Sequence, residues 1–294
     1  MRDVISLSPA ESYRVISRKE GGMGYVYILK RLNEQATTGL YLSRRTQDEY
    51  RFLYRDLLAA KAIKSPALRD HFIRELNIWI ALKPPGIVPL LKVIRDKEQL
   101  LGIMPAYSSS LREYMAATPD VRLACLGALL QTVKGLDEVS RAGILHLDLK
   151  PENLLVTAAD NQLQIDVSDW GIANIKSLAS SCAQPPQVDI STIVGVGTVP
   201  YMSPERLAHT KPDVRSDIFS IGLVFYELIV GELPYHRRSP LEVQIASGEY
   251  MDRVLQMVGE RRLPRRVAEM LHPDHAKRTS SYADVLLFLS SLRS

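Results

Sequence analysis

The residues best placed to do chemistry form one run, His146-Leu147-Asp148-Leu149-Lys150-Pro151-Glu152-Asn153. Sixteen residues after Asn153 comes Asp169-Trp170-Gly171. Together the two segments hold a carboxylate, an ammonium group and two hard oxygen ligands. Phosphoryl transfer asks for that set: a carboxylate to orient an attacking hydroxyl, a cation to neutralise a γ-phosphate, and oxygens to hold magnesium. Asp148 fits the first task, Lys150 the second, and Asn153 with Asp169 the third.

These segments need elements to position them. A helical stripe of Leu126, Leu129, Leu130, Val133 and Leu136, which Asp120 can cap, leads into the first run. A short strand, Leu154 to Thr157, follows it, and the apolar-rich stretch Leu163 to Val167 leads into Asp169. Upstream, Tyr13 to Ser17 and Tyr25 to Leu29 read as strands about the glycine turn Glu20-Gly21-Gly22-Met23-Gly24. After a polar stretch, Asn33 to Arg51, comes a strand at Leu57 to Ile63. A helix then runs from Pro66 to about Leu82 and ends at Pro84-Pro85-Gly86. Val88 to Ile94 and Gln99 to Met104 read as two more strands. Beyond Pro105 helical patterns dominate, at Asp213 to Val230, Val267 to Leu271 and Tyr282 to Leu292. Strands first and helices after predict an α+β chain in two lobes, with the seam near Pro105 to Ser110.

Composition narrows the setting. The net charge of +4 suits phosphate-bearing ligands, and an ordinary solvated surface explains it equally well, so no nucleic-acid partner is expected. Arg261, Arg262, Arg265 and Arg266 read as an exposed helix face. Cys125 and Cys182 have neither metal-ligand nor disulfide-framework spacing, which favours a reducing, cytoplasmic compartment. Met1 to Ala10 lacks the apolar core of a signal peptide. Ile218 to Val230 is too short for a membrane span, contains Glu227, and reads as a buried helix. No membrane segment is expected, and no oligomeric state follows from the sequence.

The ordered set of motifs resembles the eukaryotic-like serine/threonine protein kinase family, over about Tyr13 to Leu292. The resemblance implies a two-lobed fold. An N-terminal extension at 1–12 precedes a small antiparallel β-rich N-lobe with one main helix at 13–106, and a larger helical C-lobe occupies 107–294. It implies a transferase of the EC 2.7.11 class, using ATP with Mg2+ (Mn2+ as the alternative ion) on protein substrates. Asp148 and Lys150 take the catalytic positions, and Asn153 and Asp169 the metal positions. Gly21, Gly22, Gly24 and Val26 belong to the loop over the phosphates, where Lys19 replaces the first family glycine.

Two lysines, Lys61 and Lys64, compete for the ATP-anchoring position and point to opposite faces of their strand. Lys61 is favoured, because Leu57 and Leu58 lead into it and Ala62-Ile63 extends the strand beyond. Its partner is then Glu75. Ala59 roofs the adenine, Met104 is the gatekeeper, Pro105 and Tyr107 meet the adenine edge, and Leu155 completes the nucleotide-binding set. From Val26 to Lys61 the chain is longer than the family needs, which predicts an insertion at a hairpin tip over 33–51.

Gly197-Thr198-Val199-Pro200-Tyr201-Met202-Ser203-Pro204-Glu205 resembles the end of the activation segment and the substrate-docking loop. Thr198 with Lys150 is the serine/threonine pattern. Asp217 is placed to brace the catalytic loop, and Arg278 to pair with Glu205. Ser191 and Thr192 are the expected autophosphorylation sites. Leu147 departs from the family, standing where an arginine usually grips an activation-loop phosphate, and Trp170 replaces a phenylalanine. The departures at Lys19, Leu147 and Trp170 keep a pseudokinase scaffold as the alternative. The retained Lys61, Glu75, Asp148, Lys150, Asn153 and Asp169 oppose it. A small-molecule kinase is opposed by Thr198 and Ser203-Pro204-Glu205.

Overall fold

The computed structural model describes residues 4–8, 11–20, 24–32, 57–96, 99–118, 122–159, 162–171, 173–175 and 199–292. Gly21, Gly22, the expected insertion at 33–51, Asp120, Cys182, Ser191, Thr192, Gly197 and Thr198 lie outside the described residues. The chain is α+β and divides into two compact units, Met1–Lys83 with Val88–Ser108, and Pro84–Ile87 with Ser109–Ser294.

The first unit is built on a six-stranded antiparallel sheet. Its strands are β1 (Val4–Ser8), β2 (Glu11–Glu20), β3 (Gly24–Arg31), β4 (Leu57–Ile63), β5 (Lys92–Asp96) and β6 (Gln99–Pro105), in the order β1-β2-β3-β4-β6-β5. The expected N-terminal extension is therefore corrected in part: residues 4–8 are an edge strand of this sheet. Val4-Ile5-Ser6-Leu7-Ser8 alternates, so Ile5 and Leu7 enter the core while Ser6 is exposed. Lys92 of β5 donates to the Leu7 carbonyl of β1, so the two edges of the sheet approach each other. The sheet curls about Tyr13, Tyr27, Leu29, Leu58, Ala60, Ala62, Leu101 and Ile103.

The expected strand Val88 to Ile94 is shorter than the sequence suggests, since only Lys92–Asp96 joins the ladder. Pro89 has no N–H to give, and Ile87, which belongs to the second unit, bridges to Val167 of that same unit. A 3-10 turn (Pro66–Leu68) opens helix α1 (Arg69–Ala81), as Pro66 predicts. The helix packs Leu76 and Trp79 over Gly102 of β6, where a Cβ would lie 3.0 Å from Leu76 and 3.3 Å from Trp79.

The second unit is mainly helical. Helix α2 (Leu111–Ala117) opens with a capping box, Ser110 and Glu113. Helix α3 (Arg122–Arg141) buries Leu126, Leu129, Leu130, Val133 and Leu136, the stripe seen in the sequence. Strand β9 (Leu154–Ala159) lies between β10 (Gln162–Val167) and β7 (Ser109–Ser110), and β8 (Ile144–Leu145) pairs with β11 (Asn174–Ile175). Helices α4 (Pro204–Leu207), α5 (Val214–Val230), α6 (Leu241–Ser247), α7 (Tyr250–Gly259), α8 (Arg265–Met270) and α9 (Tyr282–Ser291) complete the unit.

Asp213 caps α5 through the Arg215 N–H, and its residues from Ser216 to Leu228 are all buried, as expected of the core helix. Gly86, at φ 90°, lets the 84–87 segment lie against α3; a Cβ there would stand 2.3 Å from the Gln131 carbonyl oxygen. Its own carbonyl accepts the Val167 N–H at 2.9 Å. Helices α2, α6 and α7 were not legible as such, the first two being only seven residues each.

Candidate active site

In the first unit β4 turns Leu58, Ala60 and Ala62 toward the sheet core and Ala59 and Lys61 to the other face. On that face Lys61 Nζ stands 2.5 Å from Glu75 Oε1 of α1. Lys64, beyond the end of the strand, pairs instead with Glu20 at 2.7 Å, in an exposed setting. Lys64 contacts the Glu20 carboxyl and holds its pKa below the ordinary value, by hydrogen bond first and then by charge. Ala59 is paired with Met104 and Lys61 with Gly102, so strand register places the nucleotide-binding candidates side by side. Met104 and Pro105 end β6 buried, and Tyr107 follows, partly exposed. Val26 is the register partner of Lys61. Gly24 has a reason internal to the sheet: a Cβ there would fall 2.1 Å from the Ala62 carbonyl oxygen.

The second unit holds the His146–Asn153 run between β8 and β9. Asp148 is fixed from three directions. Lys150 Nζ donates to its Oδ2 at 2.7 Å. Asn153 Nδ2 donates to the same oxygen at 2.9 Å and to the Asp148 carbonyl at 2.8 Å. The Asp148 N–H donates to His146 Nδ1 at 3.1 Å. Since that ring nitrogen accepts, Nε2 carries the proton and donates to the Ser168 carbonyl at 2.9 Å. Ser168 returns two bonds to the Asn153 carbonyl, from its N–H at 2.8 Å and its hydroxyl at 3.0 Å. The residue before Asp169 is thus stitched to Asn153, so the two candidate metal ligands belong to one bonded cluster.

The bonds to Asp148 come from the Asn153 amide nitrogen, which makes the amide oxygen its candidate ligand atom. With the Asp169 carboxylate this is a hard-oxygen pair suited to Mg2+ or Mn2+. Asp169 sits at φ 65°, a conformation that Asp tolerates better than most residues. Trp170 is fully buried and meets His146 edge-on, with centroids 4.6 Å apart. Leu155 of β9 is partly buried and pairs with Ser110 of β7. No group of three or more His, Cys, Asp or Glu side chains suited to a metal occurs among the described residues.

The expected braces are in place. Asp217 of α5 accepts the His146 N–H at 2.8 Å and the Leu147 N–H at 2.7 Å. Burial raises the Asp217 pKa above the usual carboxylate range, against the opposing pull of His146, those two N–H groups and Arg206. Arg278 grips Glu205 with two bonds, at 2.8 and 3.0 Å. Burial alone would raise the Glu205 pKa, but Arg278 and the Ser216 hydroxyl outweigh it and bring it to about 2.

A second network was not found from the sequence. Arg112 donates to Glu227, to Glu152 at 2.8 Å and to the Tyr201 hydroxyl at 2.5 Å, and Tyr201 donates in turn to Glu227. Burial, then the Glu227 charge, pushes the Tyr201 phenol up. With Tyr235 bonding the Pro200 carbonyl at 2.8 Å and Ser220 the Tyr201 carbonyl at 2.7 Å, residues 199–205 are tied to the helical unit. Arg112 and Glu227 are 115 positions apart, and no local pattern marks such a pair.

The protein kinase domain family matches residues 46–287, most of this chain, and the chain belongs to that family. The glycine turn and its two strands lie before the matched range. Similar proteins include the serine/threonine-protein kinase pkn2 of Myxococcus xanthus, 30% identical over 73% of this chain and 24% of its own length. The serine/threonine-protein kinase PknH of Mycobacterium bovis is 29% identical, over 79% of this chain and 37% of its own. The serine/threonine-protein kinase PKH2 of Saccharomyces cerevisiae is 27% identical, over 61% of this chain and 16% of its own. The chain thus spans well under half the length of these relatives.

Proposed function

We propose that the chain is a serine/threonine protein kinase that moves the γ-phosphate of ATP onto Ser or Thr hydroxyls of protein substrates. The observation that carries the reading is Asp148 held by Lys150 and Asn153 at 2.7 and 2.9 Å, in a loop whose backbone is clamped by Asp217. Asp148 orients the substrate hydroxyl and receives its proton, and Lys150, already beside that carboxylate, neutralises charge on the moving phosphoryl group. Lys61, held by Glu75, anchors the nucleotide phosphates. Gly21, Gly22, Gly24 and Val26 cover them, while Ala59, Met104, Pro105, Tyr107 and Leu155 hold the adenine. A magnesium ion on Asn153 and Asp169, with manganese as substitute, would neutralise phosphate charge. The remaining work is positioning, with no covalent enzyme intermediate.

The reading carries the two-lobed organisation of the family, with the first lobe beginning at β1 and reaching about residue 106, and the second occupying 107–294. A reducing, cytoplasmic setting goes with it and is supported by the buried free thiol of Cys125. No helix among the described residues is long and apolar enough to cross a membrane. Against a scaffold without turnover, Leu147 and Trp170 are buried while Asp148 keeps its bonds to Lys150 and Asn153.

The test is incubation of the purified chain with γ-labelled ATP, magnesium and a mixed protein substrate, followed by phosphoamino acid analysis. Phosphoserine and phosphothreonine are expected. Dominant phosphotyrosine would overturn the specificity class, and labelled product unchanged by chelating the metal would overturn the magnesium-dependent chemistry.

A further inference from the structure

Residue 147 is a leucine at φ 66°, buried against Leu145 and Val214. A bulky side chain in the left-handed region persists only where its surroundings over-determine it. Here they do so on both sides of the residue. Its N–H is taken by Asp217 at 2.7 Å, and its carbonyl accepts a hydrogen bond from Arg206 Nη1. That carbonyl belongs to the peptide joining Leu147 to Asp148, so whatever grips it also sets the direction in which the Asp148 side chain leaves the backbone.

Arg206 is itself rooted. It follows Glu205, whose carboxylate is fixed by Arg278, and its N–H bonds the Ser203 carbonyl at 3.1 Å. The guanidinium is partly buried in the field of three carboxylates, Asp217, Asp148 and Glu205, in decreasing order of strength. Burial holds its pKa below the ordinary arginine value, and the three charges oppose that. Surrounded by acids, Arg206 is not an open anion site. It is a fixed cation joining the end of the docking segment to the catalytic loop.

We infer that Arg206 is a positioning residue for Asp148: its bond to the Leu147 carbonyl fixes the catalytic loop from the α4 side, in a chain whose loop carries no arginine of its own. This deepens the transferase reading and rests on it for its effect on turnover. The link is built from unmodified residues, so the loop needs no phosphate to be held.

The test uses the full chain as wild type, Arg206→Leu, Arg206→Lys and, as a control, Arg215→Leu, whose guanidinium bonds the His275 carbonyl. Amide hydrogen exchange across residues 145–149 is read first, because it does not depend on turnover. In Arg206→Leu, exchange there should rise about tenfold or more while the β-sheet of the first unit stays unchanged. With ATP, magnesium and a protein substrate, kcat should fall roughly 10- to 100-fold, with KM for ATP within about twofold of wild type. Arg206→Lys, which keeps a cationic donor, should recover most of both effects, and Arg215→Leu should show neither.

Wild-type exchange in Arg206→Leu would overturn the inference. So would a lysine variant as impaired as leucine, with loss that tracks thermal midpoint alone. Should the leucine variant not fold, Arg206→Gln, which keeps an N–H donor without charge, carries the same comparison against lysine. A wild-type chain that transfers no phosphate refutes the transferase reading, and the exchange arm then decides the positioning by itself.

Discussion

Lys61 Nζ stands 2.5 Å from Glu75 Oε1, both side chains largely buried, whereas Lys64 pairs with Glu20 near solvent. Opposite charges attract more strongly where water is partly excluded, so Glu75 holds the Lys61 ammonium in one place. Exposed pairs of the Lys64 kind contribute little. Lys61→Met should therefore lower kcat/KM at least about 100-fold, roughly 2.7 kcal/mol in the barrier, and Lys64→Met less than about threefold. Parallel assays of the two variants check this, and the reverse ranking would show that Lys64 is the anchor.

Asp169 is best tested with asparagine. At φ 65°, alanine would add backbone strain to the loss of the carboxylate, while asparagine tolerates the left-handed region. Asp169→Asn is expected to abolish phosphoryl transfer at millimolar magnesium and to leave the thermal midpoint within about 2 °C of wild type. Turnover within tenfold of wild type would remove Asp169 from the metal site.

The Glu205–Arg278 pair makes a prediction about acid. The Glu205 pKa falls from an ordinary 4.5 to about 2 in the folded chain. A depressed carboxylate contributes stability above its unfolded pKa and loses it as pH falls through the folded value. Roughly 3 kcal/mol should therefore be present above about pH 4.5 and gone near pH 2. Urea unfolding followed by tryptophan fluorescence should find Glu205→Gln less stable than wild type at pH 7, with the gap narrowing across that window. A gap independent of pH would contradict the role of the ionised carboxylate.

Much of this was legible because it is local. Leu57–Ile63 is found as a strand at the expected boundaries, and the helical pattern at Asp213 to Val230 is found as α5. The Lys61–Glu75 and Glu205–Arg278 pairs were expected from the family's motif order and are present in the geometry. What escaped depends on distant partners. Val4–Ser8 forms a strand only because β2 lies beside it, and Pro89 shortens β5 by lacking a donor in a run that otherwise reads as strand. Arg112, Tyr201 and Glu227 meet across 115 positions, and Arg206 reaches a carbonyl 59 positions away. No spacing rule encodes such contacts.

Leu147 predicts how activity is set. Its buried hydrocarbon side chain offers no donor to a phosphate, and a modification without differential contacts cannot shift an equilibrium. Phosphatase-treated protein, protein preincubated with ATP, and a Ser191→Ala/Thr192→Ala double variant should give equal initial rates on one peptide. A gain of about tenfold or more on phosphorylation, roughly 1.4 kcal/mol in the barrier, would show that another cation reads the phosphate.

The most direct measurement compares wild type with Asp148→Asn in transfer of label from γ-labelled ATP to a protein substrate with magnesium. Asparagine keeps the size of the side chain and removes the charge proposed to orient the hydroxyl and take its proton. Wild type should label serine and threonine, and Asp148→Asn should fall at least about 1000-fold, with an unchanged fold by circular dichroism. Equal labelling by the two proteins, or none by either, would contradict catalysis at Asp148.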